Sequence, residues 1–265
     1  MALPFDLARR TRTMTLGNGV PALLAHPDWE TPAPFLLWIH GRTVEKELDA
    51  GRYLRLVRAG IGAVAIDLPG HGQRPGDRLH DPKHTLDVLA QIVSEIDSVL
   101  ESLADPAVAG GVFDLDRAAI GGMSAGGMAA LRRLCDPHPF VCAAVESTTG
   151  DLRSLYAGAP GRPWPAQHPA EKIAALDPMQ HLDGTRPIPL LVLHSEADEV
   201  IPAATMRGFM HALQARYEAK GASPDLIKMV TWPTTGAPSE HAGFGRHGND
   251  AKNLQVAFLR EHLRP

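Results

Sequence analysis

Ala118-Ala-Ile-Gly-Gly-Met-Ser-Ala-Gly-Gly127 is the stretch whose reading decides the fold. A short run of alanine and β-branched residues enters it, a helical pattern leaves it, and Gly122-Met-Ser124-Ala-Gly126 lies between. G-x-S-x-G at a strand-to-helix junction is the pattern of a nucleophile elbow, a tight turn that lifts a serine hydroxyl at the end of a sheet. The spacing has a steric origin. The serine backbone is strained there, and a side chain on either flanking glycine would strike the neighbouring strand or helix. Ser124 also stands at a helix start, where free N–H groups and the helix dipole favour an oxyanion. Five residues of common type carry little weight alone; a base and an acid must follow in order.

A chain of 265 residues suits a single α/β domain spanning 1–265, with ample material for a buried core. The net charge of −4 is mild and no basic run appears, which argues against a nucleic-acid partner. No apolar run has membrane-spanning length, and residues 1–10 lack the basic-then-apolar order of a signal peptide, so a cytoplasmic protein without a membrane partner is expected. Cys135 and Cys142 read as buried free thiols, as a reducing compartment would leave them. The thirteen histidines are scattered. His80 and His84 are four apart, but Asp81-Pro82 between them reads as a helix cap and first turn rather than part of a metal pair. No metal or cofactor is implied.

Residues 11–26 predict a β-hairpin turning at Gly17-Asn-Gly19. Phe35 to Ile39 is a continuous apolar run, the mark of a strand covered on both faces, and it ends in His40-Gly-Arg42. A helix with Leu48, Leu54 and Val57 near one face follows, stopped by Gly60. Ile61 to Ile66 is the next buried strand, leading into Asp67-Leu-Pro-Gly-His-Gly72. Asp81-Pro82 opens a long amphipathic helix carrying Leu86, Leu89, Ile92, Ile96, Val99 and Leu103. Beyond the elbow come a helix to about Leu134 and a strand from Phe140 to Val145. Residues 150–187 break the rhythm with Pro160, Pro163, Pro165, Pro169, Pro178 and Pro187 and one short helical piece near 170–176. They predict a small cap or insertion. Pro189 to Leu193 is a strand, Pro202 opens a helix ending near Gly221, Leu226 to Val230 is the last strand, and a final helix runs from about Asn249 to Leu263. Strands alternating with helices in this way give a mostly parallel central sheet with helices on both faces.

A serine hydroxyl is a poor nucleophile until a histidine, itself oriented by a carboxylate, takes its proton. In such a sheet those groups come from loops at the carboxyl ends of strands. Asp198 lies in the loop after Leu190-Leu-Val-Leu-His-Ser195, and His241 in a flexible loop after the last strand. Ser124, Asp198 and His241 stand in the order Ser…Asp/Glu…His. Rivals for the acid are Glu196, Glu199 and, more seriously, Glu146, which ends the strand after the elbow helix. His247 rivals His241, but it is almost inside the final helix, whereas His241 has small neighbours and a longer approach loop. His40 and His71 read as loop-ordering groups, Asp67 as the cap of its own turn, and the Arg42 side chain as surface charge.

On these residues the chain resembles the α/β-hydrolase superfamily over nearly its full length. Within it the chain is similar to compact single-domain esterases and to the dienelactone-hydrolase and prolyl-oligopeptidase-like branch. The H-G-G-G oxyanion motif of some lipases is absent; His40-Gly-Arg42 fits the other arrangement, in which the backbone N–H groups of Arg42 and Ala125 would hold the oxyanion. The resemblance implies a serine hydrolase with a Ser124, His241, Asp198 triad, acting on small to medium acyl esters. A peptidase or amidase and a carbon–carbon bond hydrolase share that triad, and a catalytically silent binding module shares the fold. Residues 150–187 occupy the place of a pocket cover, with Leu155, Tyr156 and Trp164 as apolar wall. A peptidase would need a large gating domain or an acidic site for a substrate amine. Neither is read from these residues, so the expected partner is a small-molecule ester.

Overall fold

The computed structural model describes residues 3–158 and 164–265. Eight strands form one sheet: β1 Thr11–Leu16, β2 Val20–Ala25, β3 Ala33–Ile39, β4 Gly62–Ile66, β5 Phe113–Met123, β6 Cys142–Glu146, β7 Leu190–Ser195 and β8 Ile227–Trp232. Their spatial order is β1-β2-β4-β3-β5-β6-β7-β8. From β4 to β8 every neighbour is parallel, and the β1–β2 hairpin adds antiparallel pairs at one edge. The helices are α1 Phe5–Ala8, α2 Ala50–Arg58, α3 Thr85–Ala104, α4 Pro106–Ala109, α5 Ala125–Arg133, α6 Leu152–Ala157, α7 Ala170–Leu176, α8 Ala203–Ala219 and α9 Gly248–Leu263.

Alternation along the central strands divides the core in two, because successive side chains point to opposite faces. Phe35, Leu37, Ile39, Ile120, Val145 and Val192 face one layer with the apolar sides of α3, α5 and α8. Leu36, Trp38, Ala65, Ala144 and Leu193 face the other with α2 and α9. Both layers bury their strands completely, which is why these strands read as unbroken apolar runs rather than alternating ones.

The expected elements are present with four local differences. A 3₁₀ turn over Lys46–Asp49 precedes α2 and sets its phase, so Tyr53, Leu56 and Val57 are buried while Leu48 faces solvent. Asp81 caps a 3₁₀ turn over Pro82–His84, accepting the Lys83 N–H, and the long helix begins only at Thr85. β5 runs eleven residues from Phe113, well upstream of the apolar run that signals it. Residues 150–187 hold a second helix, α6, which six residues ahead of a proline-rich run do not announce; Pro160 and Pro163 lie outside the described residues. Cys135 and Cys142 are free and buried. No helix among the described residues is long and apolar enough to cross a membrane.

Candidate active site

Four loops at the carboxyl ends of β3, β5, β7 and β8 meet above the sheet. Ser124, between β5 and α5, has φ 52° and ψ −121°, a backbone conformation costly for any residue with a Cβ. It is held from three sides. The Ser124 N–H donates to the Glu146 carbonyl at 3.0 Å, and its own carbonyl accepts from Met128 N–H at 2.9 Å and from Thr148 Oγ1 at 2.7 Å. The flanking glycines are a steric requirement. A Cβ on Gly122 would sit 2.5 Å from the Gly126 backbone, and one on Gly126 would lie 2.1 Å from the Ile39 carbonyl oxygen.

His241 Nε2 lies 2.9 Å from Ser124 Oγ, and its Nδ1 lies 2.9 and 3.1 Å from the two oxygens of Asp198. Asp198 is buried, and its Oδ1 also accepts the backbone N–H groups of Val200 and Ile201, each at 2.8 Å. Behind it the buried His194 donates from Nε2 to the Ile201 carbonyl at 2.9 Å and stands 3.5 Å from Asp198 Oδ2. The three residues expected together from the sequence are therefore brought together. The rivals are not. Glu146 makes a buried two-pronged ion pair with Arg52, both contacts at 2.8 Å, on the α2–α9 side of the sheet. Glu196 pairs with Arg207, and His247 stacks on Trp232.

The loop carrying His241 is tied down by two carboxylates that sequence reasoning passed over or set aside. Glu240 accepts from Ser195 Oγ at 2.6 Å, from the Thr235 N–H at 2.7 Å, from Thr235 Oγ1 at 2.8 Å and from the Gly236 N–H at 3.0 Å. The Ser195 hydroxyl, followed by the Thr235 and Gly236 donors, pulls its carboxyl down to about 2. Glu199 accepts from Ser239 Oγ and from the Glu240 N–H. These bonds join the ends of β7 and β8 on either side of His241.

On the opposite side, at the end of β3, a Cβ on Gly41 would lie 3.4 Å from Ser124 Cβ. His40 orders this loop, donating from Nδ1 to the Gly41 carbonyl at 2.6 Å and accepting the Leu68 N–H at Nε2. Asp67 does more than cap its turn. It accepts the Gln73 N–H and also the Lys46 N–H and ammonium at 3.0 and 2.8 Å, joining the two loops. Burial works against its charge, yet the neighbouring His40 imidazole and the donors from Gln73 and Lys46 hold its carboxyl well below the usual range. The Arg42 side chain is not loose surface charge. It donates to Thr85 Oγ1 and to the Leu79 and His80 carbonyls.

A cavity of about 880 Å³ opens onto Ser124, and its wall is mostly apolar. Leu155 and Trp164 line it as expected. Tyr156 does not; it packs edge-on behind Trp164, with ring centroids 5.1 Å apart. Glu199, which the sequence offered only as a rival for the triad acid, is an acidic group in the wall. Among the described residues no three His, Cys, Asp or Glu side chains are grouped to hold a metal ion.

A sequence profile of the prolyl oligopeptidase family matches residues 94–265, which contain all of β5 through α9 and hence Ser124, Asp198 and His241. The chain belongs to the prolyl oligopeptidase family. As a member of it, the protein is a serine hydrolase on the α/β-hydrolase fold. It is 30% identical over 256 residues to Esterase YjfP of Escherichia coli, covering 92% of this chain and 96% of that one. The structure of TT1662 from Thermus thermophilus superposes with a TM-score of 0.70 at 21% identity, covering 97% of this chain and 99% of the other. The acylaminoacyl peptidase of Pyrococcus horikoshii superposes with a TM-score of 0.72 at 16% identity, over 95% of this chain and 41% of that longer one.

Proposed function

We propose that the protein hydrolyses carboxylic esters of small to medium acyl groups through an acyl-enzyme on Ser124. His241 takes the Ser124 proton as the hydroxyl attacks, and Asp198 holds the imidazole with Nε2 free to accept. The backbone N–H groups of Arg42 and Ala125 receive the oxyanion; Ala125 opens α5, so its N–H has no partner within the helix. His241 then returns the proton to the leaving alcohol, and water repeats the sequence on the acyl-enzyme. The observation that carries this reading is the continuous contact from Ser124 Oγ through His241 to buried Asp198, each step at 2.9 Å.

The ester preference is supported by the named activity of the 30%-identical relative and by the mostly apolar wall beside Ser124. Residues 150–187 act as a short cover, supplying Leu155 and Trp164 to that wall. The test is turnover of a series of chromogenic esters from acetyl to decanoyl, with matching amides alongside, by wild type and Ser124→Ala. Wild type should favour acyl chains of up to about eight carbons over the amides, since cavities of this size suit drug-sized groups. Ser124→Ala should fold normally, resist fluorophosphonate labelling and lose about 10⁶-fold in kcat. A folded Ser124→Ala retaining a few per cent of activity, or a preference for the amides, would sink the proposal.

A further inference from the structure

The apolar pocket has two charged wall residues besides His241, and they differ in how they are satisfied. Glu199 has both oxygens engaged, one by Ser239 Oγ and one by the Glu240 N–H. Arg42 has no carboxylate partner among the described residues. Its hydrogen bonds reach only neutral oxygens, those of Thr85 at 2.7 Å, Leu79 at 3.3 Å and His80. A guanidinium has five N–H donors, so part of its capacity is unspent, and its buried Nε is left without a partner. Three other enclosed arginines of this chain each hold a carboxylate, although the Arg52 Nε is unpartnered too. Arg52 holds Glu146, Arg74 holds Glu95 and Arg133 holds Asp97. Asp81 is the acid whose charge reaches Arg42, but it is bound to the Lys83 N–H and ammonium.

The same side of the pocket collects further unpartnered groups. Trp164, a lining residue, has its Nε1–H buried without an acceptor. Behind it the Tyr156 hydroxyl and His168 Nε2 are also unpartnered, with both Trp164 and His168 packed edge-on against the Tyr156 ring. Buried donors are nearly always paired in folded proteins, and a guanidinium beside apolar walls is a strong receptor for a planar carboxylate. Burial without a partner acid pulls the Arg42 pKa down, as expected for a cation awaiting its counter-charge.

We propose that the Arg42–Trp164 wall is a carboxylate subsite, and that the substrate is an ester carrying a carboxylate on the arm that lies along it. The inference rests on the ester-hydrolase reading above and names its substrate class. The carboxylate settles against the Arg42 guanidinium, and the Arg42 Nε–H and Trp164 Nε1–H, closed off from solvent in this structure, turn towards it as it enters. Glu199, on its own part of the wall, repels the same group, so the acid arm orients the ester over Ser124.

The experiment compares kcat/KM for matched ester pairs by proton release. Monoethyl half-esters of the straight-chain diacids from succinate to suberate are set against neutral ethyl esters of equal acyl length. A second pair, the acetate ester of 4-hydroxybutyrate against butyl acetate, places the acid on the alcohol arm. In one of the two arms the acidic ester should exceed its neutral match by about tenfold, chiefly through KM, and the ratio should fall as salt rises. Arg42→Met should bring the ratio to one or below, Arg42→Lys should retain part of it, and Trp164→Phe should lower it by about threefold. If Arg42→Met does not fold, the salt series and Trp164→Phe decide. A wild-type ratio of one or less in both arms, with neutral esters turned over, removes this inference and leaves the hydrolase reading. So does a ratio that neither salt nor any of the variants moves. A protein that reacts with fluorophosphonate yet turns over no ester of either kind removes both.

Discussion

The two residues that meet at 2.9 Å in the site, Ser124 and His241, are held by opposite means. The elbow is fixed mostly by main chain: two glycines packed against backbone oxygens, a strained φ, and backbone hydrogen bonds to Glu146 and Met128, with the Thr148 hydroxyl the one side chain among them. The base loop is fixed by side chains: Glu240 and Glu199 reach across to Ser195, Thr235, Gly236 and Ser239. Backbone constraint is all-or-none, because no neighbour can rotate out of the way. Side-chain constraint is graded, because each bond can be removed singly. The elbow is thus the rigid reference, and the base is adjusted to it.

That contrast breaks most sharply at Gly126. Gly126→Ala puts a methyl 2.1 Å from the Ile39 carbonyl oxygen, and the backbone must move. The variant should either fail to accumulate or lose more than about a hundredfold in kcat/KM with a lowered Tm, as displacement of a reacting group by an ångström costs that much. Near-normal activity and Tm together would show the elbow to be pliable. Next in size among variants that should fold is the acid. Asp198→Asn should cost about 10⁴-fold in kcat by offering His241 the wrong hydrogen-bonding partner. Glu146→Gln should instead lower Tm by loosening the Arg52 pair, with kcat/KM changed far less. The reverse result would move the acid to β6.

Only part of this contrast is legible in the sequence. Ser124, Asp198 and His241 are readable because a glycine-bounded turn leaves a local signature and strand-end loops fix where its partners must come from. The ties made by Glu240 are not, because the one to Ser195 spans forty-five positions in chain numbering and a lone glutamate beside a histidine has no pattern. Residue type alone places Tyr156 on the pocket wall, but the phase of α6 turns it behind Trp164. Helical spacing places Leu48 in the core, but a 3₁₀ turn does not share the phase of the α-helix it leads into. The side chain of Arg42 reads as solvent-facing because its partners, two carbonyls and a threonine, come from a distant loop.

The graded half of the comparison is sharpened at Glu240. Glu240→Ala should lower kcat by about tenfold to a hundredfold with KM little changed, since it displaces the base and leaves the pocket intact. Glu240→Gln, which still accepts hydrogen bonds, should recover part of that loss; an alanine variant with normal kcat would show that the clamp is dispensable. The smallest effect is on stability against pH. A carboxyl lowered from 4.5 to about 2 on folding stabilises the native state fully above pH 4.5 and loses that contribution as pH falls through about 2. The Tm difference between wild type and Glu240→Gln should therefore be constant above pH 4.5 and close below it. A gap that widens on acidification would contradict the assignment.

Cys135 and Cys142 both follow the elbow helix, one just past its end and the other opening the strand that pairs with β5. Burial pushes both thiols up to about 12, so in the closed protein neither ionises near neutrality nor meets solvent. A thiol reagent can then act only during excursions in which this part of the sheet parts from its neighbours, and the reaction becomes a clock for those excursions. The clock runs independently of Ser124. Timing it before and after a phosphonate occupies the serine would measure how far a phosphonylated centre steadies the strands beneath it, without any change to the sequence.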